Sequence, residues 1–337
     1  MTLVDGSSET SHQQAGRSPG DVLVTPIFND WPVLRTLLQM LDSEFSKVGR
    51  EVSVIVIDDG SDQHAPPDLI DFAPTALRSI EILQLSRNLG HQRAIAVGLS
   101  HIAANRPCRA VIVMDGDGED LPGDVPRLLD AFDRAAGRSV VFAQRTRRSE
   151  GFAFSFFYAL YRWTHRLLTG ISVKVGNFSV IPHGSVRKLV MGSDLWNHYA
   201  AAVVHARFAT ELVPTTRGKR ISGKPSMDFV SLVSHGLSAM SVFGDRIGVR
   251  LLLSTVVLIV ALFAGVAIVA FMKLLGFTIP GWVAPMVGVF VILLGQASIL
   301  SLVFVFMTQM NRARSSFIPA NEFEQFVEKL IPVYAAR

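Results

Sequence analysis

The sequence predicts an α/β domain with a mainly parallel sheet, followed by two helices long and apolar enough to span a membrane. Two observations predict this fold class. From residue 21 onward, short apolar segments alternate with segments of helical spacing, a pattern typical of parallel strands joined by covering helices. Closer to the C-terminus, residues 251–272 and 283–307 are almost uninterrupted apolar runs, each long enough at about 1.5 Å per residue to cross a hydrocarbon core of about 30 Å.

The α/β domain is expected to cover residues 21–225, after a polar stretch of residues 1–20 that is expected to be a disordered tail. Parallel strands joined through helices take right-handed crossovers almost without exception. The chain has no internal repeat and no Gly-x-Gly-x-x-Gly motif. Strands are predicted at residues 22–28, 52–57, 80–85, 110–114 and 140–143, with helices at residues 32–45, 94–104 and 126–135.

The two apolar runs are predicted to form a transmembrane hairpin within residues 247–310. A short connector containing Pro and Gly, residues 273–280, joins them, so both outer ends should lie on one side of the membrane. The positive-inside rule predicts that this side is cytoplasmic, which places the α/β domain in the cytosol at the inner (plasma) membrane. The alternative is a pair of buried helices in a soluble protein, which the absence of interior charge disfavours. The arginines at the outer ends are Arg246, Arg250, Arg312 and Arg314, whereas the connector carries only Lys273.

Two further segments are predicted to lie at the membrane interface. Residues 151–168 interleave aromatic side chains with Arg and His, and residues 226–246 lead directly into the first apolar run. A buried core helix is the alternative for residues 151–168, because their apolar face is wide. Residues 311–337 are expected to form a cytosolic C-terminal tail.

Composition narrows the class of protein. The 337-residue chain has a formal net charge of +4 and a hydrophobic content of 49%, which is high for a soluble enzyme. Its single cysteine, Cys108, excludes an intramolecular disulfide and a cysteine-based zinc site, which fits a reducing compartment. The arginines near the apolar runs favour anionic lipid headgroups, so the basic charge requires no nucleic-acid partner.

Acidic residues follow the fourth predicted strand. Asp115 and Asp117 come directly after residues 110–114, and in a parallel sheet that end of the strand faces the crevice where ligands bind. Carboxylate oxygens suit Mg²⁺ or Mn²⁺, which typically takes one or two carboxylates and completes its shell with water and substrate phosphate. The pattern predicts a metal-bound diphosphate here, with Glu119 as a third oxygen donor. A solvated acidic turn is the alternative.

A second acidic pair, Asp58 and Asp59, follows the second predicted strand. Because the carboxyl ends of parallel strands share one edge of the sheet, we expect this pair to lie near Asp115 and Asp117. Its carboxylates can accept hydrogen bonds from a nucleobase or from ribose hydroxyls. The alternative is an Asx-type turn formed by residues 59–61.

Four ordered motifs carry a family resemblance. Residues 24–30, 57–61, 86–91 and 114–117 read VTPIFND, IDDGS, SRNLGH and MDGD. In this order they resemble the family 2 glycosyltransferases of the Rossmann-like GT-A fold, and more narrowly the branch of dolichyl-phosphate mannose synthase and bacterial polyprenyl-phosphate glycosyltransferases. The resemblance covers residues 21–245, and the hairpin matches bacterial members with two C-terminal spans. It implies inverting transfer of a hexose from a UDP- or GDP-sugar to a polyprenyl phosphate on the cytosolic membrane face.

The resemblance also implies roles for individual residues. Glu119 stands where the family commonly has Gln, which adds a negative charge near the metal. His91, at the end of the third motif, is expected to form local hydrogen bonds near a helix N-terminus, with a general-base role as the alternative. The nucleotide sugar is expected at Pro26, Asp58, Asp59, Arg87 and Asp115, and the metal at Asp115, Asp117 and Glu119.

Basic residues are expected to hold the acceptor phosphate. Guanidinium groups bind phosphate oxygens in a bidentate manner, which favours catalytic roles for Arg145 and Arg220 together with Asp117. A basic surface loop is the alternative for Arg147, Arg148 and Lys219. Ser179 stands where relatives carry Arg, which removes a positive group near the presumed acceptor. The lipid phosphate is expected at Arg145, Arg217, Arg220 and Asn177.

A lipid phosphate acceptor has a consequence for the mechanism. The second pKa of the phosphate is about 6, so the phosphate is largely dianionic at neutral pH. Its oxygen can therefore attack the anomeric carbon without a protein base. A processive polysaccharide synthase-like enzyme is an alternative, disfavoured by the small number of spans and by the absence of a Gln-x-x-Arg-Trp motif. A non-catalytic, membrane-anchored nucleotide-binding scaffold is another. The hairpin is also able to pack against copies of itself in a homo-oligomer.

Overall fold

The computed structural model describes residues 19–145, 164, 166–170, 175–216, 218, 220–221, 229–277, 281–313 and 317–336. Several predictions therefore lie outside the described residues. They concern the N-terminal tail up to residue 18, most of the aromatic segment 151–168, and Arg147, Arg148, Arg217 and Lys219. The side chain of Arg145 also lies outside them.

The strands form one 8-stranded sheet, in the order β7-β5-β6-β4-β1-β2-β3-β8. The pairs β1–β2, β1–β4, β2–β3 and β5–β7 are parallel, whereas β3–β8, β4–β6 and β5–β6 are antiparallel. The central strands confirm the predicted parallel sheet. The strands are β1 (Asp21–Ile27), β2 (Val52–Asp58), β3 (Leu77–Leu85), β4 (Ala110–Val113), β5 (Val140–Arg145), β6 (Ser179–Pro182), β7 (Thr210–Thr215) and β8 (Val327–Ala335).

Helices connect the strands and cover both faces of the sheet, as the alternating pattern predicts. The first helix begins immediately before Pro32, which is tolerated in a first turn because the backbone N–H it lacks would have no helical partner there. The helices are α1 (Trp31–Lys47), α2 (His91–Asn105), α3 (Val125–Arg134), α4 (His183–Leu189), α5 (Tyr199–His205), α6 (Phe229–Ser241), α7 (Gly244–Leu274), α8 (Val283–Ala313) and α9 (Pro319–Glu322).

Two hydrophobic clusters lie on opposite faces of the sheet. One contains Leu34 and Phe45 of α1 together with Phe132 of α3. The other contains residues of α2, α4 and α5. Neighbouring residues of β1 divide between them, since Leu23 belongs to the first cluster and Val24 to the second. All of β1 is buried, so its residues need no polar alternation, which explains its mostly apolar sequence between Asp21 and Ile27.

The C-terminal segment corrects one expectation. Residues 311–337 are assigned to a tail by the sequence, whereas β8 adds an antiparallel strand to the edge of the sheet, with Ile82 opposite Ile331 and Leu83 opposite Leu330. Ile331 and Val333 pack against the first hydrophobic cluster. Edge strands are half exposed, and charged residues and proline within β8 hide the alternation that marks a strand. The α/β domain therefore includes residues on both sides of the apolar helices.

The two predicted apolar helices are present. Helix α7 has a mean hydropathy of 2.9 over its best window and Val283–Met307 of α8 has 2.5, and neither window is buried inside the protein. Both helices are long and apolar enough to cross a membrane. They pack side by side, with a hydrogen bond between the hydroxyls of Thr255 and Ser301.

Candidate active site

The acidic motifs lie at the carboxyl ends of the central strands, at one end of the sheet. Strand β1 runs between β2 and β4, with Ile27 opposite Asp58 and Val24 opposite Val113. Both neighbours are parallel to β1, so the carboxylates that follow β2 and β4 emerge on the same side of the domain. Pro26 is buried inside β1 beside them.

Asp58 and Asp59 are largely used to shape loops. The Oδ1 atom of Asp58 accepts a hydrogen bond from the Ser61 N–H at 3.0 Å. Both oxygens of Asp59 accept backbone N–H groups, from Leu89 at 2.7 Å and Gly90 at 2.9 Å. Burial raises the pKa of Asp59, and these hydrogen bonds act in the opposite direction. Asp59 thus holds the loop of residues 86–90 in place. The sequence predicted only a contact between Asp59 and the nucleoside, not this structural role.

Gly60 allows the 86–90 loop to approach closely. Its φ is +70°, and a Cβ atom there would lie 2.4 Å from the backbone carbon of Arg87. Any side chain would therefore push this loop away from Asp59. The Arg87 side chain itself is exposed at the same edge of the sheet.

Hydrogen bonds from backbone N–H groups to carboxylates fix the conformation of the turn at Asp115–Asp117. The Asp115 N–H donates to Oδ2 of Asp120 at 3.1 Å, and the Glu119 N–H donates to Oδ1 of Asp117 at 3.0 Å. A Cβ atom on Gly116 would lie 2.9 Å from the carbonyl oxygen of Pro26. Glycine between the two aspartates is thus required by the close approach of β1.

Asp115 is paired with His91 and Asn177. His91 Nε2 lies 3.0 Å from Oδ1 of Asp115, and the Asn177 amide nitrogen lies 3.0 Å from the same His91 atom and 3.4 Å from that oxygen. Burial lowers the pKa of His91, but the charges of Asp115, Asp117 and Asp59 and the hydrogen bond to Asp115 outweigh it and raise the pKa overall. His91 therefore favours the charged form beside Asp115.

A buried hydrogen-bond network supports Asn177. The Gln92 amide donates to Oδ1 of Asn177 at 3.2 Å, and Oε1 of Gln92 accepts the Tyr199 N–H at 2.8 Å. Ser179 Oγ donates to the Asn177 carbonyl oxygen at 2.8 Å and lies 2.8 Å from the Tyr199 hydroxyl. Ser179 is fully buried, so its role is to hold this network and not to contact an acceptor directly.

Asp117 is paired with Arg220. The Arg220 Nη2 atom donates to Oδ2 of Asp117 at 2.8 Å, with each side chain about one-fifth exposed. This hydrogen bond, with the charges of Asp117, Glu119 and Asp30, raises the pKa of Arg220. The Gly218 N–H donates to the Glu119 carbonyl at 2.9 Å, so the segment carrying Arg220 lies along the acidic turn.

The structure brings together only part of the predicted site. Asp115, Asp117, Arg220 and Asn177 converge at the sheet edge. The backbone of Arg145, at the end of β5, pairs with Thr215 of β7. His91 and Gln92 belong to the same cluster. For His91 the sequence predicted local hydrogen bonds near a helix N-terminus, whereas the only signal for Gln92 was its place directly after the third motif, at the start of α2.

Two carboxylates carry the metal prediction. Among the described residues, no three His, Cys, Asp or Glu side chains form a group able to hold a metal, and Glu119 as a third ligand stays a prediction. Its backbone is tied on both sides, to Asp117 and to Gly218. Two carboxylates still fit Mg²⁺ or Mn²⁺, because these cations commonly share their shell with water and substrate phosphate. Asp115 and Asp117 would hold such a cation.

Known proteins resemble this chain in sequence. The family model described as Glycosyl transferase family 2 matches residues 22–187. A protein of Bacillus subtilis (strain 168) named as a glycosyltransferase, CsbB, is 25% identical over 83% of this chain and 83% of its own length. An undecaprenyl-phosphate 4-deoxy-4-formamido-L-arabinose transferase of Klebsiella pneumoniae (strain 342) is 30% identical over 38% of this chain and 37% of its own length.

One solved structure shows the extent of similarity in three dimensions. Mannosyl-3-phosphoglycerate synthase from Rubrobacter xylanophilus aligns with a TM-score of 0.48 and 13% identity, covering 68% of this chain and 74% of that chain.

Proposed function

We propose that this chain, whose residues 22–187 match the glycosyl transferase family 2 model, is a glycosyltransferase that transfers a hexose from a UDP- or GDP-sugar to a polyprenyl phosphate with inversion. The observation that carries the proposal is the acidic turn Asp115–Asp117, paired with Arg220 in a domain interrupted by two apolar helices. The named activity of the Klebsiella relative, a transferase acting on undecaprenyl phosphate, supports the acceptor class.

The donor binds at the edge formed by β1, β2 and β4. Asp115 and Asp117 would hold Mg²⁺ or Mn²⁺, and a bound cation would supply positive charge to offset the charge that develops on the departing nucleoside diphosphate. Asp58 and the 86–90 loop, with Arg87, border the nucleoside. Asp59 contributes by holding that loop through Leu89 and Gly90. Donor binding therefore depends on loop shape as well as on direct contacts.

The acceptor is a phosphate, and the site's charges suit it better than a hydroxyl. A sugar hydroxyl needs a base to remove its proton, whereas a phosphate monoester is already ionised at neutral pH. His91 Nε2, the other candidate base, lies 3.0 Å from Oδ1 of Asp115 and is engaged by that carboxylate. Arg220 binds the acceptor phosphate, with Arg145 and Arg217 as further proposed contacts. Catalysis then relies on positioning and electrostatics.

The apolar helices anchor the enzyme as a hairpin with the catalytic domain on the cytosolic side. Strand β8 follows α8 in the chain and pairs with β3, so the chain returns to the domain from which α7 departs. Two consecutive spans bring the chain back to the side of the membrane on which the domain lies, whereas a single span would leave it on the other side. Arg250, near the start of α7, donates to the carbonyl oxygen of Leu167 at 2.5 Å, which ties the preceding segment to the anchor.

The proposal is tested by turnover. The full-length protein in detergent is incubated with a short-chain polyprenyl phosphate, Mn²⁺ and a panel of UDP- and GDP-sugars, and lipid-linked product is measured. Asp117→Ala is expected to abolish product. Asp130→Ala serves as the control. Asp130 pairs with Arg50, which lies just before the start of β2, at the end of the strands opposite to the acidic motifs. Product from no donor in the panel, or wild-type turnover by Asp117→Ala, would refute the assignment.

A further inference from the structure

We propose that Arg220 is an internal counter-ion of Asp117 that a divalent metal displaces, and that the released guanidinium then binds phosphate, so metal binding prepares the phosphate site. This inference rests on the proposed function, because it assumes a metal at Asp117. It adds an order of events: Arg220 becomes available to phosphate only once Asp117 is taken by the cation.

One atom pair links the predicted functions of Asp117 and Arg220. The Arg220 Nη2 atom lies 2.8 Å from Oδ2 of Asp117, so a carboxylate expected to hold metal and a guanidinium expected to hold phosphate are bound to each other. Each group is about one-fifth exposed, so both remain within reach of a ligand. Both oxygens of Asp117 are engaged, Oδ1 by the Glu119 N–H and Oδ2 by Arg220, so a cation at this carboxylate competes with the arginine for Oδ2.

The Arg220 side chain is able to move while its backbone stays in place. The Ile221 N–H donates to the Asp117 carbonyl at 3.2 Å, and the Gly218 N–H donates to the Glu119 carbonyl at 2.9 Å. A Cβ atom on Gly118 would lie 2.5 Å from Cγ1 of Ile221, which shows how closely the two segments approach. These contacts anchor the backbone on both sides of Arg220 against the acidic turn, so the exchange is expected to move the arginine side chain and not its backbone.

A cation bound at Asp117 would change the charges that act on Arg220. Without a cation, Arg220 is attracted by the carboxylates of Asp117, Glu119 and Asp30. A divalent ion at Asp117 attracts that carboxylate about twice as strongly as a guanidinium does at equal distance, and it also repels the guanidinium. Phosphate oxygens then offer Arg220 a bidentate partner of the kind its geometry prefers. A donor diphosphate and an acceptor lipid phosphate share this chemistry.

Metal affinity of the substrate-free protein is the first measurement. Mn²⁺ binding to full-length protein in detergent is followed by the electron paramagnetic resonance signal of free Mn²⁺, which needs no turnover. Arg220→Gln removes the competitor and is expected to tighten Mn²⁺ binding about fivefold, the loss of one partly buried ion pair. Arg220→Lys keeps the charge and is expected to lie between this variant and wild type.

A matched control separates this effect from a general change of charge. Arg50 pairs with Asp130 at 3.0 Å and with Asp133 at 2.8 Å, at the end of the strands opposite to the acidic motifs. Arg50→Gln removes the same charge from the protein and is expected to leave Mn²⁺ affinity unchanged. Equal tightening in Arg50→Gln and Arg220→Gln would overturn the proposal.

Phosphate binding supplies the second measurement, because coupling between two sites is reciprocal. In wild type, Mn²⁺ is expected to tighten phosphate binding, and Arg220→Gln is expected to reduce this gain about fivefold. Calorimetric titrations with a short-chain polyprenyl phosphate and, separately, with UDP or GDP identify which phosphate receives Arg220. A gain that Arg220→Gln retains in full with both ligands would overturn the proposal.

Failure of this inference is distinguishable from failure of the proposed function. If Asp117→Asn binds Mn²⁺ as wild type does, the metal is elsewhere and both ideas fall. If Asp117→Asn loses Mn²⁺ but neither Arg220→Gln nor Arg220→Lys alters Mn²⁺ affinity, the metal site stands and the exchange is refuted.

Discussion

Replacing Gly60 by alanine tests whether the contact between the acidic loop and the 86–90 loop forms the donor site. Gly60 has a φ of +70°, and its added Cβ would lie 2.4 Å from the backbone carbon of Arg87 and 2.5 Å from the backbone nitrogen of Asn88. Gly49 is a matched control, because its φ is +63° and no atom lies within 4 Å of its added Cβ. The two substitutions share the backbone strain and differ in the clash.

The structure sets the expected magnitudes. An alanine in the left-handed region costs about 1 kcal/mol, and this is the whole expected effect of Gly49→Ala. Gly60→Ala adds overpacking against backbone atoms that cannot rotate away, worth about 1–3 kcal/mol more. At about 2–4 °C per kcal/mol for a domain of this size, the two variants should differ in Tm by several degrees.

The assay combines thermal unfolding in detergent with calorimetric titration of UDP and GDP. Gly60→Ala is expected to lose affinity for the nucleotide about tenfold or more, because the displaced loop no longer borders the donor. Gly49→Ala should bind as wild type does. If Gly60→Ala melts with Gly49→Ala and binds nucleotide normally, the loop contact has no role in forming the donor site.

Three further predictions follow from particular contacts. Asp59→Asn replaces a carboxylate that accepts N–H groups from Leu89 and Gly90, and losing one charge-assisted bond of about 1.5–3 kcal/mol should accelerate hydrogen exchange of those amides; unchanged exchange would contradict this. Burial, with a smaller contribution from the Arg106 charge, lowers the pKa of His101. Its unfolded form therefore binds more protons, so stability should decrease as pH falls below about 6.5, and a His101→Phe variant should lack that component. Deleting residues 317–337 removes β8 and leaves the β3 edge unpaired, which should cause aggregation by size-exclusion chromatography; a monodisperse, active truncation would contradict the pairing.

Much of the fold was predictable because the hydrophobic pattern is strong where elements are buried. Strand β1 is buried along its whole length and is mostly apolar, and α7 and α8 each contain a long, almost uninterrupted apolar run. Strand β8 was not predictable in this way, since Glu328, Lys329 and Pro332 interrupt its pattern and its pairing partner lies far away in the chain. The order of the central strands places both acidic motifs at one edge, as local periodicity and crossover rules anticipate.

Part of the candidate site was also predictable from the sequence, and part of it was not. Asp115 and Asp117 were identifiable because their chemistry follows from residue type and from their place at a strand end. The partners of these carboxylates were not. His91, Asn177 and Arg220 come from three distant segments, and the predicted nucleoside and phosphate contacts of the wider set stay predictions.

The amino-acid sequence by itself determined the fold class, the apolar hairpin and the position of the acidic turn, because each depends on composition and periodicity within a short window. Only the tertiary structure decided that Asp59 holds a loop, that Asp117 is bound by Arg220, and that the chain returns after α8 to complete the sheet. The physical reason is that hydrogen bonds and ion pairs act over about 3 Å, and the groups that meet at that distance are set by how separate segments pack.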